Sequence, residues 1–228
     1  RLAAPADGSP YIRLQIEEVS QTERVLKFAL HDMAVPTAVQ IRDWLDHAML
    51  PAHIRKHAAG VARVAGACAD DLLGRGVFVR KKALVAAAKL HDVLRFTDFK
   101  SLTGDAYYTP TPAQTAAWTA LKQTYGQPHE LAAQRFMDAE GFPGIGTIIR
   151  SHGSHGVRNP EFAAVTIEQK ILAYSDKRMK YDTLVSVDQR FDDFLTRYAD
   201  GKETEMSMKW RTQLKALEKE LFPDGPPL

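Results

Sequence analysis

The sequence predicts an all-α protein, and three observations carry that prediction. Alanine is abundant, asparagine is nearly absent and β-branched residues seldom cluster, a balance that favours helix over sheet. Apolar residues recur three and four apart in one segment after another, the period of a helix that buries one face. No stretch of useful length alternates apolar and polar residues as a half-buried strand does, and no internal repeat is visible. The chain has 228 residues, 45% apolar and 25% charged, enough for a globular domain with a full core.

The elements follow in order. Residues 1–10 hold Pro5, Gly8 and Pro10 and read as a lead-in; a helical period begins near Tyr11 and is interrupted at Val35-Pro36. Residues 1–36 are therefore expected to be an extension with one helix. Thr37 to Leu50 is a second helix, with Ile41, Leu45 and Met49 four apart. Pro51 suits the first turn of a third, running to about Leu73 through Ile54, Val61, Val64, Cys68 and Leu72, with His57 in the same stripe. After the Gly74 and Gly76 turn, a helix from about Val79 to Phe96 contains Ala83 to Ala88, apolar all round and so expected to be central.

Residues 97–127, with Gly104, Pro110, Pro112 and Gly126 around a short helix bearing Trp118 and Leu121, read as an insertion beside the core. From Pro128 a helix opens on His129 and buries Ala132, Ala133, Phe136 and Met137, and Gly141 ends it. Pro143 opens the next, with Ile145, Ile148, Ile149 and His152 in register. Thr166-Ile167-Glu168-Gln169 and Ser186-Val187-Asp188-Gln189 have the form of capping boxes. The first starts a helix through Leu172, Asp176 and Met179, and the second one through Phe191, Phe194 and Tyr198. Residues 37–200 form the main domain, and 201–228 a last amphipathic helix and a Pro-rich tail.

Charge and cysteine content narrow the function. Thirty basic against 28 acidic residues leave a net charge of +2, which gives no bulk electrostatic case for nucleic acid or a membrane surface. The single Cys68 lies among small residues and reads as a buried structural thiol rather than a nucleophile. No apolar run is long enough to span a membrane and no signal peptide is visible, so a reducing cytoplasm is the expected compartment.

The histidines carry the chemistry. Of eight, His57, His91, His129 and His152 each occupy the apolar register of a separate predicted helix, and Asp92 and Asp176 do the same as carboxylates. A buried carboxylate is costly unless paired or bound to a cation. Imidazole nitrogen with carboxylate oxygen is the donor set of Mn, Fe, Co, Ni or Zn sites. His53 offers an alternative to His57, at the ragged start of the same helix. The other His-Asp pair, His31-Asp32, has no upstream histidine in register.

His57, then His91-Asp92, then Asp176 resembles the H…HD…D signature of the HD-domain superfamily of metal-dependent phosphohydrolases. The likeness extends to LPAHIRKHAAGVARVA at Leu50–Ala65, LVAAAKLHD at Leu84–Asp92 and ILAYSDKRMKYDTLVSVDQRF at Ile171–Phe191, and covers roughly Ile41 to Tyr198. It implies an HD-type helical bundle around a metal site, with His57, His91, Asp92 and Asp176 as ligands and Asp92 bridging two ions. His129 and His152 match two further histidines of the binuclear branches, which include hydrolases of symmetrical dinucleoside tetraphosphates; branches without them bind one metal. The long stretch between Asp92 and His129 departs from the compact branches.

The expected reaction is hydrolysis of a phosphate ester or anhydride, with a nucleotide the expected substrate class and a water activated by one or two divalent ions as nucleophile. Asp92, Lys177 and Arg95 are the candidate catalytic groups. Lys177 and Arg178, which follow Asp176, together with Arg95, one turn beyond His91, are candidates to hold the phosphate, and His155 is a candidate on the substrate side. A homodimer is admitted. Two other functions fit the same ligands: an HD-type diiron oxygenase, and a nucleotide-binding sensor module.

Overall fold

In a computed structural model, the chain divides into two compact units, Arg1–Ala34 and Val35–Leu228. Residues 13–18, 24–29, 33–99, 102, 108–153, 166–198 and 200–228 are described. The first unit corrects the expected N-terminal helix. Strands β1 (Arg13–Glu18) and β2 (Arg24–Ala29) form an antiparallel hairpin, with Leu14 opposite Phe28 and Ile16 opposite Leu26.

Among its described residues the second unit is all-α apart from one small hairpin. Its helices are α1 (Ala38–His47), α2 (Ala52–Gly74), α3 (Lys81–Leu90), α4 (Pro112–Tyr125), α5 (His129–Ala139), α6 (Pro143–Arg150), α7 (Ile167–Lys177), α8 (Val187–Tyr198) and α9 (Glu205–Leu221). Strands β3 (Met179–Lys180) and β4 (Thr183–Leu184) pair antiparallel between α7 and α8. The helix starts follow local chemistry. Thr166 and Gln169 exchange side-chain and backbone hydrogen bonds at the start of α7, and Ser186 and Gln189 do the same before α8. Gly141 ends the turn after α5 at φ 84°, a conformation that favours glycine.

The alanine-rich α3 is the central element, as its all-round apolar sequence predicts. It packs against α2, α6 and α7, while α5 pairs with α6, and Leu84, Ala87, Ala88 and Leu90 are completely buried. Small side chains let these helices approach closely enough for polar groups at their ends to meet. Helix α4, expected in an insertion beside the core, contributes to the core itself. Trp118 is fully buried, stacks on Phe96 with ring centroids 5.0 Å apart, and donates its indole N–H to the Ala48 carbonyl at 2.9 Å. Helix α9 packs on α7 and α8 and buries Leu214, Leu217 and Leu221. Cys68 is buried and unbridged, and burial pushes its thiol up to about 12, which leaves it inert as a nucleophile. Among the described residues no helix is long and apolar enough to cross a membrane.

Candidate metal centre

Helix ends build the site. His57 sits in the second turn of α2, His91 follows the last residue of α3 and Asp92 comes next; His129 is the first residue of α5, His152 lies just beyond α6, and Asp176 is in the last turn of α7. Chain ends leave the helical hydrogen-bond ladder, so side chains there can be aimed by local contacts.

Each imidazole is aimed by its outer nitrogen. Nδ1 of His57 donates to the Tyr181 carbonyl (2.8 Å), that of His91 to Ala88 (2.7 Å) and that of His152 to Ile149 (2.6 Å). A carbonyl only accepts, so these contacts place the proton on Nδ1 and leave Nε2 to the interior. His129 Nδ1 meets Asp98 Oδ2 at 2.5 Å, and Asp98 Oδ1 also accepts the His129 backbone N–H at 2.9 Å. Such outer partners are what fix the ring of a metal-ligating histidine. The carbonyl that orients His57 comes from Tyr181, held at φ 55° in the turn between β3 and β4.

The inner atoms fall into two groups on either side of Asp92. On one side Asp92 Oδ2 lies 3.5 Å from His91 Nε2, which is 3.7 Å from Asp176 Oδ1, and that oxygen is 2.9 Å from His57 Nε2. On the other side Asp92 Oδ1 lies 3.3 Å from His129 Nε2 and 3.8 Å from His152 Nε2, and these two nitrogens are 3.1 Å apart. Donors around one ion with bonds of about 2.1 Å are separated by roughly 3–3.5 Å, so both groups have the spacing of a coordination shell. His57, His91 and Asp176 can hold one ion, and His91, Asp92 and His152 form an overlapping set. His91 Nε2 is buried without a hydrogen-bond partner, as expected of a ligand atom.

The electrostatics say what the site wants. Burial would lower the His129 pKa, but Asp92 and Asp98 outweigh it and raise it to about 9. Burial is likewise overcome at His57, where Asp176 and Asp92 raise the pKa above its ordinary value. At fully buried His91 desolvation wins and lowers the pKa to about 4, against the pull of Asp92. Burial alone would raise Asp92 and Asp176, but His91 and His129 around the first, and Lys177 and His57 around the second, hold both well below the usual carboxylate range. Two Nε2 atoms 3.1 Å apart beside a carboxylate demand a positive charge between them, either a proton or a metal ion.

A cavity of about 680 Å³ opens over these atoms and is lined by His57, Asp92, His129, His152 and Asp176, with the cations Arg95, Lys177 and Arg190 and the rings of Phe194 and Trp210 around them. Of the predicted phosphate contacts, Lys177 and Arg95 reach it. Lys177 Nζ contacts Asp176 Oδ2, lies 3.4 Å from the His152 carbonyl and sits over the Trp210 ring. Arg178 is absent from the lining: its guanidinium bonds the Val185 carbonyl, the Tyr174 hydroxyl and the Leu228 carbonyl, a structural tie among α7, β4 and the segment after α9. His155 lies outside the described residues, as do His31 and Asp32. His53, the alternative to His57, packs against Tyr108 instead, with the rings tilted and their centroids 5.4 Å apart.

Residues outside the sequence expectation also belong here. Asp98 lies in the stretch expected to be an insertion, so its link to His129 leaves no signal in the helical period. Glu130 shares a stripe with Ala133 and Met137, but in a first turn an acid also suits the helix dipole, which hides it among ordinary N-terminal carboxylates. Arg190, Phe194 and Trp210 reach the cavity only through the packing of α8 and α9. In comparisons with known proteins, the chain matches no family model, no curated protein and no solved structure.

Proposed function

We propose that the protein is a metal-dependent phosphohydrolase of the HD type, acting on a phosphate ester or anhydride of a nucleotide at a two-ion centre. The observation that carries the reading is Asp92, whose two oxygens face two separate groups of inward Nε2 atoms beneath a cavity walled by cations. His57, His91 and Asp176 would hold one ion and His129 and His152 the other, with Asp92 shared. Bound divalent ions supply Lewis acidity toward phosphoryl oxygens and an activated water nucleophile. Mixed nitrogen and oxygen donors suit Mn, Fe, Co, Ni or Zn.

The chain's own groups do the rest. Lys177, buried at the cavity wall with its ammonium beside Asp176, places a fixed positive charge where a phosphoryl oxygen would approach. Arg95, held at 3.0 Å by Asp98, offers a planar donor fork at the His129 end. Phe194 and Trp210 add apolar rings to the cavity lining, Trp210 beside Lys177, where they would limit water around the charged end of a substrate.

The test is reconstitution of chelator-stripped protein with each of the five metals, followed by phosphate release from nucleotides, cyclic dinucleotides and dinucleoside polyphosphates. Metal-dependent release that disappears in Asp92→Ala and Asp176→Asn is the expected result. Turnover unchanged in both variants, or no release with any metal, would refute it; dioxygen consumption by the iron form without phosphate release would assign the centre to oxygenase chemistry.

A further inference from the structure

Among the described residues, Glu130 is an acidic side chain of the cavity wall that the ligand set above leaves without a task. It follows His129 at the start of α5, and both residues are more than nine-tenths buried. The same helix buries Ala132 with Ala133 and Phe136 with Met137, and Glu130, seven residues before Met137, lies at the edge of that buried face. Here the wall of the cavity runs along the end of the helix, with Gln127, Pro128, His129 and Glu130 all lining it. A glutamate in a first turn is ordinarily explained by the helix dipole, which rewards an exposed or capped carboxylate. Glu130 is neither, because its Oε2 is buried with no hydrogen-bond donor. His129 Nδ1 lies 3.3 Å away but is directed to Asp98 at 2.5 Å.

A second, independent observation fixes where the carboxylate lies. Gly153 follows His152, and a Cβ placed on it would fall 1.6 Å from Glu130 Oε1 and 2.5 Å from Cδ. The carboxylate thus occupies the volume that any other residue at 153 would fill, directly beside His152. Glu130 offers an oxygen that lies, with one nitrogen each of His129 and His152, within 4.8 Å of one another.

We propose that Glu130 is the carboxylate ligand that completes the second ion position, and that Gly153 is glycine to make room for it. The inference rests on the metal-centre reading above. With Asp92 Oδ1 it gives the His129–His152 side two nitrogen and two oxygen donors, so that the ion there has one carboxylate of its own besides the shared one. This favours a cation that accepts carboxylate oxygen readily, such as Mn or Fe, over one that prefers nitrogen and sulfur.

Calorimetric titration of the metal-free 228-residue chain with Mn, with the spin-coupled Mn signal as a second readout, tests it. Wild type should take two ions, and His129→Ala should lose the second. Glu130→Gln, which keeps the shape and removes the charge, should leave the first binding step unchanged and weaken the second by about tenfold or more, with loss of the spin-coupled signal. Gly153→Ala should weaken the second step in the wild-type background and add nothing to Glu130→Ala, because its effect acts through the displaced carboxylate. Unchanged stepwise affinities in Glu130→Gln, with His129→Ala still losing the second ion, would overturn the Glu130 assignment and leave the metal centre standing. A wild type that binds no more than one ion, or a His129→Ala that loses none, would overturn both.

Discussion

His129 and His91 occupy the same centre and titrate in opposite directions, which makes the metal-free protein sensitive to pH in a defined way. The folded pKa of His91 is lowered to about 4 by burial, so the unfolded chain takes up more protons than the native one between about 4 and 6.5, and stability rises with pH through that window. The folded pKa of His129 is raised to about 9 by Asp92 and Asp98 against burial, so its contribution is complete below 6.5 and is lost as pH climbs to about 9. His57, also raised, adds to the same decline. The melting temperature in chelator should therefore peak near pH 6.5. With saturating divalent ion the descending limb should vanish, because the ion replaces the proton between His129 and His152 and is favoured as protons become scarce. A thermal-melt series from pH 5 to 9, with and without metal, checks the sign; a decline above pH 6.5 of equal size in both would show that the ion does not sit on these nitrogens. The histidines and both aspartates are legible in sequence because a polar residue in an apolar stripe violates the local pattern. Asp98 violates nothing locally, and Glu130, although in the stripe of Ala133 and Met137, is masked by its place in a first turn, where an acid is ordinary.

Elements whose ends carry strong local chemistry are readable from sequence alone. The boxes at Thr166 and Ser186 fix the starts of α7 and α8, and the apolar run of α3 foretells its central place. The pair β1 and β2 is harder: Leu14 and Ile16 alternate with polar residues as in a strand but over too few residues to decide, Val25, Phe28 and Ala29 also fit a helical turn, and the pairing of the two strands settles the outcome. Helix α4 shows the same limit, since proline and glycine punctuation around it suggests a peripheral loop while Trp118 anchors it in the core. Trp118→Ala should remove the stack on Phe96 and the bond to Ala48 and cost about 3–5 kcal/mol, measured by urea denaturation. A loss below about 1 kcal/mol would show that α4 is a surface attachment after all.

For the molecule as a whole, the centre ties α2, α3, α5, α6 and α7 together at their ends, so metal binding and stability are linked. An ion held at 100 times its dissociation constant adds about 2.7 kcal/mol to the folded state. For a chain of this length that corresponds to a rise in melting temperature of roughly 5–10 °C. Chelation should reverse the rise, and His57→Ala and His129→Ala should each remove part of it, since the two residues serve different ion positions. The most direct measurement is an anomalous difference map from crystals soaked in Mn. Two peaks should flank the Asp92 carboxylate, one among His57, His91 and Asp176 and the other between His129 and His152 within reach of Glu130; no peak at the centre, or a single ion that leaves His129 and His152 facing each other directly, would contradict the two-ion centre.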